Sequence, residues 1–202
     1  MTGRDRRLQY EWQKIEQGLN GRNDIRYRVI RTNAGGLPTA YRIEYRIHSI
    51  ASVTDIEHLG ETNVSNRPIM ADRFTMLIEL PDQYPCVDGQ PVFRFLTQDD
   101  EGKPIPHPWH PNIRYFGTFA GRVCLNRDDT YTDLIWGILR VKSYLTYERY
   151  HAMNTPPYPE DQQVAAWVIR QAEPNGWIPL DNGKWLTVNG KLIIDSNEET
   201  DF

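Results

Sequence analysis

The stretch from Gln98 to Thr130 constrains this chain more than any other part. Pro104, Pro106, Pro108 and Pro111 recur through its first half, so no helix and no central strand can run through it. Loops of this length are usually functional or disordered. Prolines with fixed φ favour a rigid loop. Strand patterns precede the stretch and helix patterns follow it. Near its end, beyond His110-Pro111-Asn112-Ile113 and a loop with Gly117 and Gly121, comes Arg122-Val123-Cys124-Leu125. A thiol just past a polar, Asn-bearing turn suggests a nucleophile that hands on an acyl group.

Leu8, Trp12, Ile15 and Leu19 are spaced four, three and four residues apart. They predict a short amino-terminal helix over 6–19, which Gly21 can end. Strands are expected over Asp24–Arg31 and over Ala40–Val53, where Tyr41, Ile43, Tyr45 and Ile47 alternate with polar residues. Phe74–Leu80 and Val92–Leu96 complete a four-stranded antiparallel meander, with His58–Pro68 as a polar insertion. Leu134, Ile135, Ile138, Leu139 and Leu145 predict one helix, and Glu160–Ala172 another. The fold class is therefore α+β. Asn182-Gly183 and Asn189-Gly190 are hairpin-turn signals. They separate Trp177–Leu180, Trp185–Val188 and Leu192–Ile194, an added carboxy-terminal β-meander. The expected division is a catalytic domain over 1–172 and an extension with an acidic tail over 173–202.

The net charge of −4 argues against a general nucleic-acid binder. Residues 1–31 nevertheless hold eight Arg/Lys against four Asp/Glu, so this end is either a docking face for an acidic protein or a solvated helix face. Two cysteines make no disulfide framework, and no stretch approaches a membrane span or a signal peptide. These features point to a cytoplasmic protein with reduced thiols. His107 and His110 are three apart, but prolines interrupt them and no Cys-x-x-Cys accompanies them, so neither a metal nor a cofactor is expected.

The order of elements and several motifs together resemble the ubiquitin-conjugating (E2, or UBC) family over about residues 5–172. Phe74–Pro81 looks like the family's third strand and its closing proline. Tyr84-Pro85 followed by Pro91–Thr97 resembles its "YP…PxVxFxT" passage. His110-Pro111-Asn112 matches its HPN motif, and Gly121–Leu125 its "G-x-[IV]-C-L" segment. Trp136 stands near an expected tryptophan. Three departures are visible. Twelve positions separate Asn112 from Cys124, about four more than in the common eukaryotic enzymes, which enlarges the Arg114–Ala120 loop. Asp133–Trp136 replaces the loop that helps bind a RING-type ligase. Asn154–Pro159 replaces an acid-containing turn. These departures look more like the divergent bacterial E2 proteins, which occur beside an E1-like activating enzyme, a ubiquitin-like protein and a deconjugating protease, often in antiphage operons.

The resemblance implies that Cys124 takes a ubiquitin-like protein from an E1-like enzyme as a thioester and passes it to an amine of a protein substrate. Asn112 becomes either an oxyanion donor or a structural amide. His110 becomes a brace for the loop rather than a general base. Asp128, Asp129, Glu160 and Asp161 are candidates to assist the attacking amine or to cap a helix, with Asp129 and Asp161 preferred. Trp109 either walls the site or packs in the core. Arg4, Arg6, Arg7 and Lys14 on the first helix become contacts for the activating enzyme. Cys86 is left structural. Two other readings remain open: a non-catalytic E2-variant module that binds a ubiquitin-like protein, and a cysteine hydrolase using Cys124 with His110.

Overall fold

The computed structural model describes residues 2–61, 63–86, 88–125, 133–178, 187–188 and 191–192. The chain opens with helix α1 (Gly3–Leu19), started by a reciprocal cap. The Asp5 amide donates to Thr2 Oγ1 (3.1 Å) and the Thr2 amide to Asp5 Oδ2 (2.9 Å). These Thr2 hydrogen bonds hold the Asp5 carboxyl below its ordinary pKa. The buried line of α1 is Leu8, Glu11, Ile15 and Leu19, with Trp12 half-buried beside it. The apolar stripe is where it was expected, but a carboxylate stands inside it. Glu11 is fully buried. It pairs with Arg7 (2.6 Å), accepts from the Tyr84 hydroxyl, and accepts from the Leu134 amide at the start of the next long helix (2.7 Å).

Strands β1 (Ile25–Thr32), β2 (Pro38–Tyr45), β5 (Phe74–Glu79) and β6 (Val92–Phe95) form one antiparallel sheet in the order β1-β2-β5-β6. Side chains alternate across it. Tyr41, Ile43, Tyr45, Phe74, Met76, Ile78, Phe93 and Phe95 face inward, onto α1 and onto α2 (Leu134–Leu145). The expected Ala40–Val53 strand is two strands. Tyr45 pairs with Ile25 on one side and with Phe74 on the other. Both partners begin there, and the pairing ends one residue on, where the Arg46 amide donates to the Asp24 carbonyl (2.8 Å). The chain leaves the sheet, and β3 (Ser49–Val53) pairs instead with β4 (Pro68–Ala71), which starts at the last residue of the expected polar insertion.

This second, two-stranded sheet meets a second core. Ile50 and Val53 pack with Trp109, Tyr147, Tyr150, Val164, Trp167 and Val168. The last helical segment is regular over α3 (Gln162–Trp167) and widens to π turns over Val168–Ala172. Ile178 joins the same cluster, and Trp177 stacks on Trp167 at 6.2 Å. Of the expected carboxy-terminal meander, β7 (Thr187–Val188) and β8 (Lys191–Leu192) pair antiparallel. The remainder of that extension beyond Ile178, with the acidic tail, lies outside the described residues.

Candidate active site

The segment that carries the thiol is held on both sides by backbone. Along the edge of β6, the Phe95 amide donates to the Gly121 carbonyl (2.8 Å) and the Val123 amide to the Phe93 carbonyl (3.1 Å). On its other side, the Arg114 amide donates to the Arg122 carbonyl and the Cys124 amide to the Asn112 carbonyl, both at 2.8 Å. Gly121 makes this approach possible. Its φ is +86°, and a Cβ there would lie 2.0 Å from the Phe95 carbonyl oxygen. Cys124 follows at the end of this strip, partly exposed, and Leu125 packs against the first core.

The HPN turn is fastened to the loop that follows α2. His110 is buried. Its Nε2 lies 3.1 Å from the Arg149 carbonyl, which only accepts, so Nε2 carries the hydrogen. Its Nδ1 then accepts from the Asn112 amide at 3.1 Å. The ring stacks on Tyr144 at 4.9 Å. Burial lowers its pKa to about 3, against a smaller opposing effect from the Arg149 carbonyl. His110 is therefore neutral at physiological pH, with both nitrogens committed. Asn112 is also buried, and its Oδ1 accepts from the His151 amide at 3.0 Å. That bond orients the side-chain amide and leaves Nδ2 as its donor end. The Tyr144 hydroxyl donates to the Cys124 carbonyl (3.3 Å), and the Tyr147 hydroxyl to that of Trp109.

The enlarged loop closes on itself. Besides the Arg114 bond to Arg122, the Gly121 amide donates to the Arg114 carbonyl at 2.8 Å. Glu160 bridges the two sides of this neck. Its Oε1 accepts from Arg122 Nη2 (2.6 Å) and from Arg114 Nε (3.4 Å). Asp161 grips the loop from beneath, accepting from the amides of Tyr115 (2.9 Å) and Phe116 (3.4 Å). Tyr115 stacks on His107 at 4.2 Å, meets Trp109 edge-on, and donates its hydroxyl to Ala51. Burial lowers the pKa of His107.

The candidate acids divide accordingly. Asp161 is 2% exposed and also caps α3, accepting from the amides of Gln163 and Val164. Four backbone donors thus occupy its two oxygens. Of the two roles expected for Asp161, helix capping and assistance to an amine, this placement describes the capping one, with the loop anchored to the same carboxylate. Glu160 is engaged by two guanidinium groups. Asp128 and Asp129 lie outside the described residues. Trp109 is fully buried in the second core, where it packs on Phe116 and Trp167. Cys86 is exposed.

The four basic residues of α1 are not equivalent. Arg7 is drawn inward, bound to Glu11 and to the Tyr84 hydroxyl. Arg4 reaches the Pro81 carbonyl (3.3 Å) and Asp82. Arg6 is exposed, and Lys14 lies over the exposed Tyr10 ring. Sequence reasoning missed the inward turn of Arg7 and the buried Glu11. Their i,i+4 spacing was the available signal.

Among the described residues no group of three His, Cys, Asp or Glu side chains is placed to hold a metal ion. No described helix is long and apolar enough to cross a membrane.

No protein-family model matches the chain, and no curated protein matches it. Solved structures similar to it include a ubiquitin-conjugating enzyme E2 from Plasmodium falciparum. That likeness has 20% identity and a TM-score of 0.41, covering 69% of this chain and 96% of that one. Human ubiquitin-conjugating enzyme E2 G1 shows 15% identity and a TM-score of 0.40, over 70% of this chain and 93% of that one. The E2 enzyme UbcA1 of Agrocybe aegerita shows 17% identity and a TM-score of 0.43, over 72% and 83%.

Proposed function

We propose that this protein is an E2-like conjugating enzyme that carries a ubiquitin-like protein on Cys124. The Cys124 thiolate attacks the thioester carbonyl on an E1-like enzyme, a new C–S bond forms, and the enzyme's cysteine leaves as thiolate. An amine of the protein substrate then attacks the carried carbonyl. A C–N bond forms, the bond to Cys124 breaks, and the amine proton passes to solvent or to the departing thiolate. In each step the carbonyl oxygen gains charge, and Asn112 Nδ2 is the donor offered to it. The opposite end of the same amide holds the loop through His151, so the structural and electrophilic roles of Asn112 do not compete.

The observation that carries this reading is the state of His110. A cysteine hydrolase needs a base able to activate water, and His110 has one nitrogen donating to Arg149 and the other accepting from Asn112. A thiol supported by a glycine-dependent strip and left partly exposed favours a carrier over a non-catalytic binding module. We place the protein in the cytoplasm of a bacterium, in an antiphage operon with the activating enzyme, the modifier and a deconjugating protease.

The test combines the protein with the E1-like and ubiquitin-like proteins encoded beside it, with ATP. Electrophoresis with and without reductant follows the adduct. A reductant-sensitive species absent from Cys124→Ala is expected. The same species in Cys124→Ala would overturn the assignment.

A further inference from the structure

The Tyr115–Ala120 loop holds one large ring out to solvent. Phe119 is 53% exposed and belongs to neither core, so the fold does not call for it. Its surroundings are nonetheless ordered. The Arg122 guanidinium lies 5.0 Å from the ring centroid, and Glu160 fixes that guanidinium at 2.6 Å. Asp161 and the His107–Tyr115–Trp109 ring cluster fix the base of the loop. Phe119 precedes Cys124 by five residues, so the two are within roughly 18 Å of each other even along an extended chain.

We propose that Phe119 is a docking contact for the ubiquitin-like protein while that protein is held as a thioester on Cys124. The inference rests on the thioester reading above. The size of the contact selects the occupant. Phe119 is already half covered, so burying the rest multiplies an equilibrium by roughly four- to fifteenfold, too little to offset the freedom a dissolved partner loses on binding. A partner already tethered at Cys124 has an effective concentration of about millimolar, and the same factor then suffices to turn a loosely swinging cargo into an oriented one. Because the Glu160–Arg122 pair holds the ring in place, little is lost in ordering it. An oriented cargo presents its carbonyl to an incoming amine in a reactive geometry.

The test loads the protein, Phe119→Ala and Phe119→Leu to completion with the ubiquitin-like protein of the experiment above, then follows discharge of each adduct to free L-lysine. Free lysine has no protein surface, so an effect on its discharge does not arise from the docking of an acceptor protein. Discharge is expected to fall about tenfold in Phe119→Ala and to recover largely in Phe119→Leu. Glu160→Gln, which loosens Arg122, is expected to fall between them. Unchanged discharge to free lysine in Phe119→Ala would overturn the proposal. So would a fall confined to a protein acceptor, which would assign the ring to the acceptor. Absence of any adduct on the unsubstituted protein would remove the thioester reading itself.

Discussion

Asn112 and His151 are joined by a hydrogen bond of 3.0 Å from the His151 amide to Asn112 Oδ1, although the two residues lie on different loops. Asn112→Ala leaves that buried amide without an acceptor, at a cost of about 1–3 kcal/mol. On the proposed function it also removes the donor to the oxyanion, worth about 10²–10³ in rate. Both a lower melting temperature and a slower single-turnover discharge are expected. A lower melting temperature with wild-type discharge would leave Asn112 a structural residue only.

Stability is expected to fall with acid through His110. Its folded pKa is lowered to about 3 from an ordinary 6.5, so below pH 6.5 the unfolded chain binds the proton that the folded one refuses. Stability from this residue is complete above pH 6.5 and is lost as pH falls toward 3. From pH 7 to pH 5 the loss is about 2 kcal/mol. His107, also lowered, acts in the same direction. Denaturant melts at the two pH values should show this difference, reduced in His110→Asn.

Asp161→Ala removes the α3 cap and the acceptor for two loop amides. A loss of about 0.5–2 kcal/mol is expected from the cap alone. Hydrogen exchange at Tyr115 and Phe116 should accelerate with it. The pH profile of discharge should keep its shape, because four backbone donors already occupy the carboxylate. A displaced profile would return Asp161 to the chemistry.

The basic residues of α1 should separate in a charging assay. Arg6→Glu combined with Lys14→Glu is expected to slow transfer from the activating enzyme several-fold, more at low salt, with little change in melting temperature. Arg7→Ala should instead lower the melting temperature, since it leaves the buried Glu11 carboxylate without its cation. Equal charging by the double variant and the unsubstituted protein would move the docking face elsewhere.

Much of this architecture was legible in the chain. Tyr41, Ile43 and Tyr45 announced a half-buried strand by alternation, and the residues around Cys124 announced its support by motif. The break after Tyr45 was not legible, because alternation describes the faces of a strand and not where its neighbours end. Glu11 was hidden because a carboxylate on an apolar stripe looks like an error of pattern until Arg7, Tyr84 and the Leu134 amide are placed around it. Asp161 was open to two readings, an acid for chemistry and a helix cap. The arrival of the Tyr115 and Phe116 amides, which are distant in sequence, could not be read from the chain.

The neck between Arg114 and Arg122 insulates the thiol from the loop above it. Backbone bonds and the Glu160 carboxylate close the loop before the chain reaches Val123. Residues added or deleted between Gly117 and Ala120 therefore change what is displayed without displacing Cys124. The loop is an attachment on a fixed mount, whose length and surface can change while the strip that carries Cys124 keeps its place.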